Sequence, residues 1–352
     1  MSADERSLLD AAAGLFPQWV LGADEQAVID GYNAQRREAL GRHVAKLLSA
    51  RDARSQLDYA LLAPMVSNTA GQDTATAAVE RARRDQAISK AAAADPDDVM
   101  AAWMEALDCT DASLCDKADA RRRLQQLDPD NALVWMLDLD DVAGLSPQQV
   151  DQILGRMASS ARFSDMFDPA TARMHSALQR AQLSDPGDAV LAILDRDPFM
   201  QGRPSNTARQ YGEVMGMSTA IAFPAIGPLS NACRGTLSAS RHTACVGAMT
   251  RIADAGSLLF DGLSIPRMVA LTAGRPEQAE WRERYRQHAW RTAKVAMPMD
   301  ARWLDLRMRM SEVDAHDALQ VLRGRPVVPP PGWLPKSEAA RSLVVNGRPP
   351  GG

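Results

Sequence analysis

The chain has 352 residues, a formal net charge of −4 and a hydrophobic fraction of 46%, so it can form one large helical domain or two to three smaller ones. The negative balance argues against a nucleic-acid partner, because domains that bind nucleic acid through bulk electrostatics carry a clear basic excess. Aromatic residues make up only 5%, and a hydrophobic content carried by Ala, Leu and 17 Met favours an all-α fold over a sheet-based one.

Residues 1–90 predict a group of N-terminal helices. The clearest is an amphipathic helix over residues 24–48, with apolar side chains on one broad face, and an Ala- and Arg-rich helix follows over residues 74–94. No stretch of the sequence approaches the roughly 18 uninterrupted apolar residues that a membrane-spanning helix requires. The sequence therefore predicts no transmembrane segment.

Residues 91–144 contain the one legible internal repeat. Asp95-Pro96 and Asp128-Pro129 lie 33 residues apart, and each is followed by a Trp-Met pair. Pro suits the first turn of a helix, so the pattern predicts one helix from Pro96 to near Cys109 and a second over residues 116–127. Two helices joined by a short turn form an antiparallel helical hairpin.

This segment resembles a tetratricopeptide repeat, a helical pair of about 34 residues with a Trp near its start and a Pro at the boundary with the next unit. Trp135 lies six residues after Pro129, as the family pattern expects, whereas Trp103 lies seven residues after Pro96. The match covers about one and a half repeats. The resemblance implies helical hairpins that bind a protein or peptide partner, and it implies nothing about catalysis.

The four cysteines fall as two local pairs, Cys109 with Cys115 and Cys233 with Cys245. Neither pair has the CxxC spacing, and no further Cys or His lies at zinc-finger spacing, so we expect no metal site. Two local disulfides suit an oxidising compartment and predict an exported protein, periplasmic or secreted, whose leader is missing from this chain. The alternative is a cytoplasmic protein with four buried free thiols.

The C-terminal part predicts a second helical region over residues 201–325. Its last helix is expected over residues 300–322, with Trp303, Leu306, Met310 and Val313 as the core-facing stripe. Residues 326–352 are rich in Pro and Gly and predict an extended tail without its own fold.

Residues 328–333, with the sequence VPPPGW, have two interpretations. They are either a polyproline ligand for a partner or a segment lying along its own domain.

A search for chemistry finds no metalloprotease, nucleophile-elbow, P-loop or dinucleotide-binding motif, so we predict no catalytic residue, metal or cofactor. The charge is uneven: residues 95–151 hold 14 acidic and 4 basic residues, and residues 281–325 hold 10 basic and 6 acidic ones. Within the basic stretch, arginines interleaved with aromatic residues suggest a surface for an acidic partner. The candidate partner-binding residues are Arg282, Arg286, Trp290 and Arg291.

The sequence therefore predicts an all-α protein of antiparallel helical hairpins, tetratricopeptide-like over residues 91–200, that binds a protein or peptide partner without catalysis. One alternative is an all-α hydrolase or lyase with a site assembled from distant residues, to be sought around residues 202–234. Another is a cytoplasmic scaffold with free thiols. The partner's identity and the oligomeric state are left open.

Overall fold

A computed structural model of the chain describes residues 21–66, 74–140, 144–197, 200–218, 226–294 and 299–348. The fold over these residues is all-α, as the composition predicts. Seventeen α-helices and one short 3-10 helix lie in the described ranges. None of these helices combines the length and the hydropathy that crossing a bilayer requires.

We number the helices in chain order. The first nine are α1 (Ala23–Ser49), α2 (Ala53–Val66), α3 (Thr74–Ala94), α4 (Val99–Leu107), α5 (Lys117–Leu127), α6 (Ala132–Met136), α7 (Pro147–Ser159), α8 (Phe167–Arg180) and α9 (Asp188–Leu194). The others are α10 (Asn206–Ser218), α11 (Gly227–Ala232), α12 (Ala239–Ala253), α13 (Leu258–Leu271), α14 (Gln278–Lys294), α15 (Ala301–Arg307), α16 (Glu312–Leu322) and α17 (Glu338–Asn346). Two short strands, β1 (Met200–Gln201) and β2 (Met299–Asp300), pair in parallel.

The predicted hairpin is present as α4 and α5. Its first helix begins at Val99 rather than at the predicted Pro96, because the Asp98 side chain caps it. Side-chain caps explain where each of the two helices begins. Asp98 accepts hydrogen bonds from Met100 N at 2.8 Å and Ala101 N at 3.1 Å, and Asp116 accepts one from Asp119 N at 2.9 Å. These contacts satisfy backbone N–H groups that lack partners within the first turn.

The turn between α4 and α5 is held from two sides. The Sγ atoms of Cys109 and Cys115 lie at disulfide distance, 1.97 Å. Asp85 of α3, which is 1% exposed, accepts hydrogen bonds from Thr110 Oγ1 at 2.7 Å, Thr110 N at 3.1 Å and Asp111 N at 3.0 Å. The buried carboxylate therefore fixes the same turn that the disulfide closes.

The second cysteine pair, Cys233 and Cys245, also lies at disulfide distance, 2.05 Å, and joins the end of α11 to α12. Helix α12 in turn crosses α7 very closely. A Cβ atom added at Gly247 would lie 2.6 Å from Ala158 Cβ and 3.3 Å from Ala158 Cα. Only glycine permits this approach of the two backbones.

Successive helices α1 to α5 pack against their neighbours, which is compatible with a helical-repeat fold. Two further contacts join helices that are distant in sequence: α7 packs on α12, and α8 packs on α2. At the second contact the buried Asp58 pairs with Arg173 Nε at 3.3 Å and Arg180 Nη2 at 2.5 Å.

A continuous cluster of buried side chains extends from Leu40 in α1 to Trp281 in α14. This cluster crosses the predicted boundaries at residues 90/91 and 200/201. The division of the chain into separate domains stays a prediction.

The C-terminal region differs from its prediction in two ways. The helix expected over residues 300–322 is broken, because Ser311 accepts a hydrogen bond from Asp314 N at 3.1 Å and starts α16 as a separate helix. The tail expected to be extended contains α17, which packs on α14. Both changes bear on the candidate sites.

Candidate functional site

A cleft opens where α8, α10, α13, α15 and α16 meet, and its cavity has a volume of about 360 Å³. Its walls combine aromatic and aliphatic side chains with three carboxylates and one guanidinium. The apolar wall contains Phe163, Phe167, Met215, Leu259 and Trp303, and the charged residues are Asp165, Asp168, Arg307 and Glu312. We name this set the acidic cleft.

The floor of the acidic cleft is the turn between α12 and α13. Gly256 has φ +73°, and a Cβ atom there would lie 3.0 Å from the Ser311 side chain, so this close approach requires glycine. Gly256 O accepts a hydrogen bond from Val313 N at 3.0 Å. The glycine thus brings the start of α13 against the start of α16.

Glu312 of α16 then caps α13 from outside that helix. One of its oxygens accepts hydrogen bonds from Leu258 N at 2.8 Å and Ser257 Oγ at 3.3 Å. A carboxylate at a helix N-terminus is also stabilised by the helix dipole. The charge of Glu312 is therefore largely committed to holding the cleft together.

Asp168 and Arg307 form the second fixed contact of the acidic cleft. Arg307, which is 6% exposed, donates to both oxygens of Asp168, with one of these contacts at 3.2 Å, and to Met310 O at 2.9 Å. Tyr211 of α10 supports the pair by donating its hydroxyl to Arg307 O at 3.2 Å. Most of the Asp168 charge is thus balanced by its partner.

Asp165 differs from the other two acids. Its Oδ1 accepts a hydrogen bond from Phe167 N at 3.1 Å, and no side chain in the described part of the chain donates a hydrogen bond to its second oxygen. Burial, with a smaller contribution from the charge of Asp168, raises the pKa of the half-buried Asp165 to about 6. Among the three acids, Asp165 is thus the one that neither caps another helix, as Glu312 does, nor pairs with an arginine in the described ranges, as Asp168 does.

The residue that follows Asp165 is strained. Met166 has φ 62°, a left-handed conformation that a residue with a long side chain rarely adopts, and it is 7% exposed. Such backbone strain persists only where the surrounding structure holds it, and it clusters at functional sites. The strained residue sets the direction from which Asp165 enters the cleft.

This arrangement suits a ligand with a cationic group and an apolar stem. Three carboxylates face one guanidinium, so the cleft carries negative charge, while its aromatic wall offers apolar contact. Leu259, which is 52% exposed, extends the apolar surface to the rim. In the described ranges, no group of three or more His, Cys, Asp or Glu side chains is arranged to hold a metal ion.

The four residues predicted to bind a partner lie together on α14, and the structure engages them within the chain. Arg282 Nε donates to Val344 O at 2.7 Å, and Arg286 Nη1 donates to Pro330 O at 3.1 Å. These contacts hold the C-terminal segment along α14.

The other two predicted residues are engaged in the same way. Trp290 Nε1 donates to Pro326 O at 3.1 Å, and the Trp290 ring meets Trp333 edge to face at 5.1 Å. Arg291 pairs with Asp317 through two contacts of 2.9 Å. The VPPPGW segment thus lies along its own domain, and a role for this surface in partner binding stays a prediction.

Sequence reasoning missed the acidic cleft. Its residues come from four distant segments, and the Asp168-Pro169 pair within them is a pattern typical of a helix start that carries no signal for a site. Residues 202–234, singled out as a place to search, contribute Met215 and Gly216 to the wall.

No known family model, no curated protein and no solved structure matches this chain. The tetratricopeptide resemblance of residues 91–144 therefore remains a similarity of architecture.

Proposed function

We propose that this protein is a non-catalytic binding module that receives a Lys or Arg side chain of a protein or peptide partner in the acidic cleft. The observation that carries the proposal is Asp165, a carboxylate that pairs with no arginine in the described ranges and is set in an apolar wall. A cationic side chain would pair with this carboxylate while its aliphatic stem lies against Trp303 and the neighbouring aromatic rings.

The cysteine pairs support an exported location for this module. Disulfides persist in oxidising compartments and are rare in the cytosol, and both pairs lie at bonding distance. Mass measurement after alkylation under non-reducing conditions tests this part of the proposal. Four alkylated thiols in the native protein would support the cytoplasmic alternative.

Isothermal titration calorimetry with short capped peptides that carry Arg, Lys, Gln or Glu at the centre tests the binding proposal. We expect the Arg and Lys peptides to bind and the Gln and Glu peptides to bind at least about tenfold more weakly, because a charge-assisted hydrogen bond contributes roughly 1.5–3 kcal/mol. Equal binding of all four peptides would contradict the proposal.

The variant Asp165→Asn provides the decisive control, because the amide oxygen can still accept from Phe167 N. We expect it to lose the preference for cationic peptides. The matched control is Asp185→Asn, which changes an exposed Asp outside the cleft. It should bind as the unchanged protein does.

A second candidate function is acid-catalysed hydrolysis with Asp165 as the proton donor. The observation that favours it is the pKa of about 6, which leaves the carboxyl partly protonated near neutral pH, beside the strained Met166. Mass spectrometry of the peptides recovered from the calorimeter separates the two functions. Intact peptides support binding, and fragments that form with the unchanged protein but not with Asp165→Asn support hydrolysis.

A further inference from the structure

A second cavity, of about 540 Å³, lies between α11, α12 and the C-terminal half of α13. Three arginines, Arg234, Arg267 and Arg275, contribute to its lining, which includes no Asp or Glu. We name it the basic cleft. We propose that the basic cleft binds a small amphipathic organic anion, a carboxylate or phosphate group carried on an apolar chain or ring.

The first argument is the charge that the fold leaves unbalanced. Neither Arg234 nor Arg275 makes a side-chain hydrogen bond or ion pair to any residue in the described ranges, and Arg267 donates only to Leu263 O of its own helix. Burial and the positive charge of Arg234 lower the pKa of the half-buried Arg267. Like charges held together at a cavity favour an anion between them.

Other arginines around the same helices show that this lack of carboxylates is local. Arg241 of α12 pairs with Asp151 at 2.5 Å, and Arg284 of α14 pairs with Asp254 at 2.8 Å. The fold thus supplies a carboxylate to the arginines that stand beside the basic cleft. It supplies none to the three that line it.

The second, independent argument is a buried hydroxyl. Ser230 of α11 lines the basic cleft and is only 4% exposed, and its Oγ has no hydrogen-bond partner among the described residues. A buried polar atom without a partner is costly, so most such atoms in folded proteins are satisfied by protein, water or ligand. An oxyanion held by the arginines would accept a hydrogen bond from the Ser230 hydroxyl.

The third argument concerns the rest of the wall, which is apolar apart from His242, whose Nε2 lies 2.8 Å from Leu271 O. Leu237, Met249 and Leu271 line the basic cleft together with Cys233 of the second disulfide. Inorganic phosphate alone would leave these surfaces uncovered. A cavity of this size with apolar walls and a few convergent polar groups is typical of a small-molecule site.

Calorimetric titration with n-octyl phosphate below its micellar concentration tests the proposal directly. We expect n-octyl phosphate to bind and inorganic phosphate to bind at least about tenfold more weakly, because it lacks the apolar chain. Octyltrimethylammonium has the same chain with the opposite charge and should not bind. Equal affinity for the phosphate and the ammonium compound would overturn the proposal.

Two variants locate the bound anion, Arg267→Gln and the more exposed Arg234→Gln. Each should weaken n-octyl phosphate binding by about tenfold or more. The control Arg54→Gln changes an exposed arginine of α2 and should leave the affinity unchanged. Far-ultraviolet circular dichroism confirms that each variant is folded. Unchanged affinity in both cleft variants would show that the anion binds elsewhere and would overturn the proposal.

Ser230→Ala completes the test, because it removes the unpartnered hydroxyl without adding volume. We expect weaker n-octyl phosphate binding, with the affinity for the cationic peptides of the acidic cleft unchanged. No change in anion affinity would contradict the role given to Ser230. The anion-binding proposal and the peptide-binding proposal therefore fail separately.

Discussion

The two ends of helix α13 stand in opposite electrostatic surroundings. Its N-terminus lies beside three carboxylates of the acidic cleft, and its C-terminal half lies beside three arginines of the basic cleft. Each sign suits the helix dipole, which favours anions at the N-terminus and cations at the C-terminus. Stabilisation of α13 alone would thus account for the signs.

The two ends of α13 differ in whether their charged side chains have partners within the fold. At the N-terminus, Glu312 bonds directly to Leu258 N, and Asp168 is paired with Arg307, so two of the three acids serve the fold. At the C-terminus, the carbonyl Leu271 O accepts from His242 if Nε2 carries the proton, at 2.8 Å, rather than from an arginine. The arginines are therefore not needed as caps, and their charge remains for a ligand.

The largest expected effect concerns Asp261, a buried residue in the first turn of α13. Burial raises the pKa of Asp261 to about 7. Between about pH 4 and pH 7 the folded state therefore holds a proton that the unfolded state has released. As pH rises through this window, the free energy of unfolding falls by about 1.4 kcal/mol for each pH unit. Above about pH 7 the stabilisation from the protonated Asp261 is lost.

The variant Asp261→Asn removes this titration. Urea denaturation at several pH values should show the variant gaining stability relative to the unchanged protein as pH rises, by about 4 kcal/mol in total. His288, whose pKa burial lowers to about 4, acts in both proteins and cancels in the difference. If the difference in unfolding free energy between the two proteins does not change with pH, Asp261 is solvated in the folded state and its pKa is not raised.

Opening the second disulfide has the next largest effect. The pair Cys233 and Cys245 closes a loop twice as long in sequence separation as Cys109 and Cys115, 12 against 6 residues. Loop-closure entropy then predicts a loss of about 3 kcal/mol for the double Ser variant of Cys233 and Cys245 and of about 2 kcal/mol for that of Cys109 and Cys115. Urea denaturation without reductant measures both.

The two disulfide variants also sharpen the contrast between the clefts. Cys233 lines the basic cleft, so its removal should weaken binding of n-octyl phosphate and spare the cationic peptides. Loss of Cys109 and Cys115 should change neither affinity. Loss of peptide binding in the Cys233 variant would mean that the clefts do not behave independently.

A smaller effect is expected from a change in the packing of α12, a helix that lines the basic cleft, against α7. Gly247→Ala would force the backbones of α12 and α7 apart, and we expect a loss of about 1–3 kcal/mol. The control Gly155→Ala lies on α7 where an added Cβ meets nothing within 4 Å, and we expect it to stabilise by up to about 1 kcal/mol. Thermal denaturation of both variants decides the matter, and equal losses would show that the crossing is looser than described.

Much of the fold could be predicted from local sequence signals. The α4 and α5 hairpin follows from the pattern of residues 91–144, although α4 begins at Val99 rather than at Pro96, and the disulfide pairs follow from the close spacing of the cysteines. These features depend on residues a few positions apart. The break at Ser311 was missed because the helical spacing of apolar residues in the sequence continues through it.

That break also explains why Trp303 and the rest of the predicted stripe do not form the buried face. With the helix interrupted, the stripe from Trp303 to Val313 no longer lies on one face, and Leu304 and Arg307 are buried instead. The clefts themselves could not be predicted, because their contacts join residues far apart in the chain. Asp168 and Arg307, for example, are 139 residues apart.

The smallest expected effect is the pH dependence of peptide binding. A bound cation requires the ionised form of Asp165, whose pKa is about 6, so affinity should fall as pH drops below that value. Between pH 7.5 and pH 5 we expect about a tenfold loss, measured by calorimetry with the Arg peptide. The Asp165→Asn variant should show no such dependence, and a parallel loss in that variant would assign the effect to another group.

The most direct test of the account is a crossed titration of Asp165→Asn and Arg267→Gln with the Arg peptide and n-octyl phosphate. Each variant is predicted to lose affinity for the ligand of its own cleft and to keep the affinity of the unchanged protein for the other. Loss of both ligands in either variant, or of neither in both, would contradict the assignment of opposite charges to opposite ends of α13.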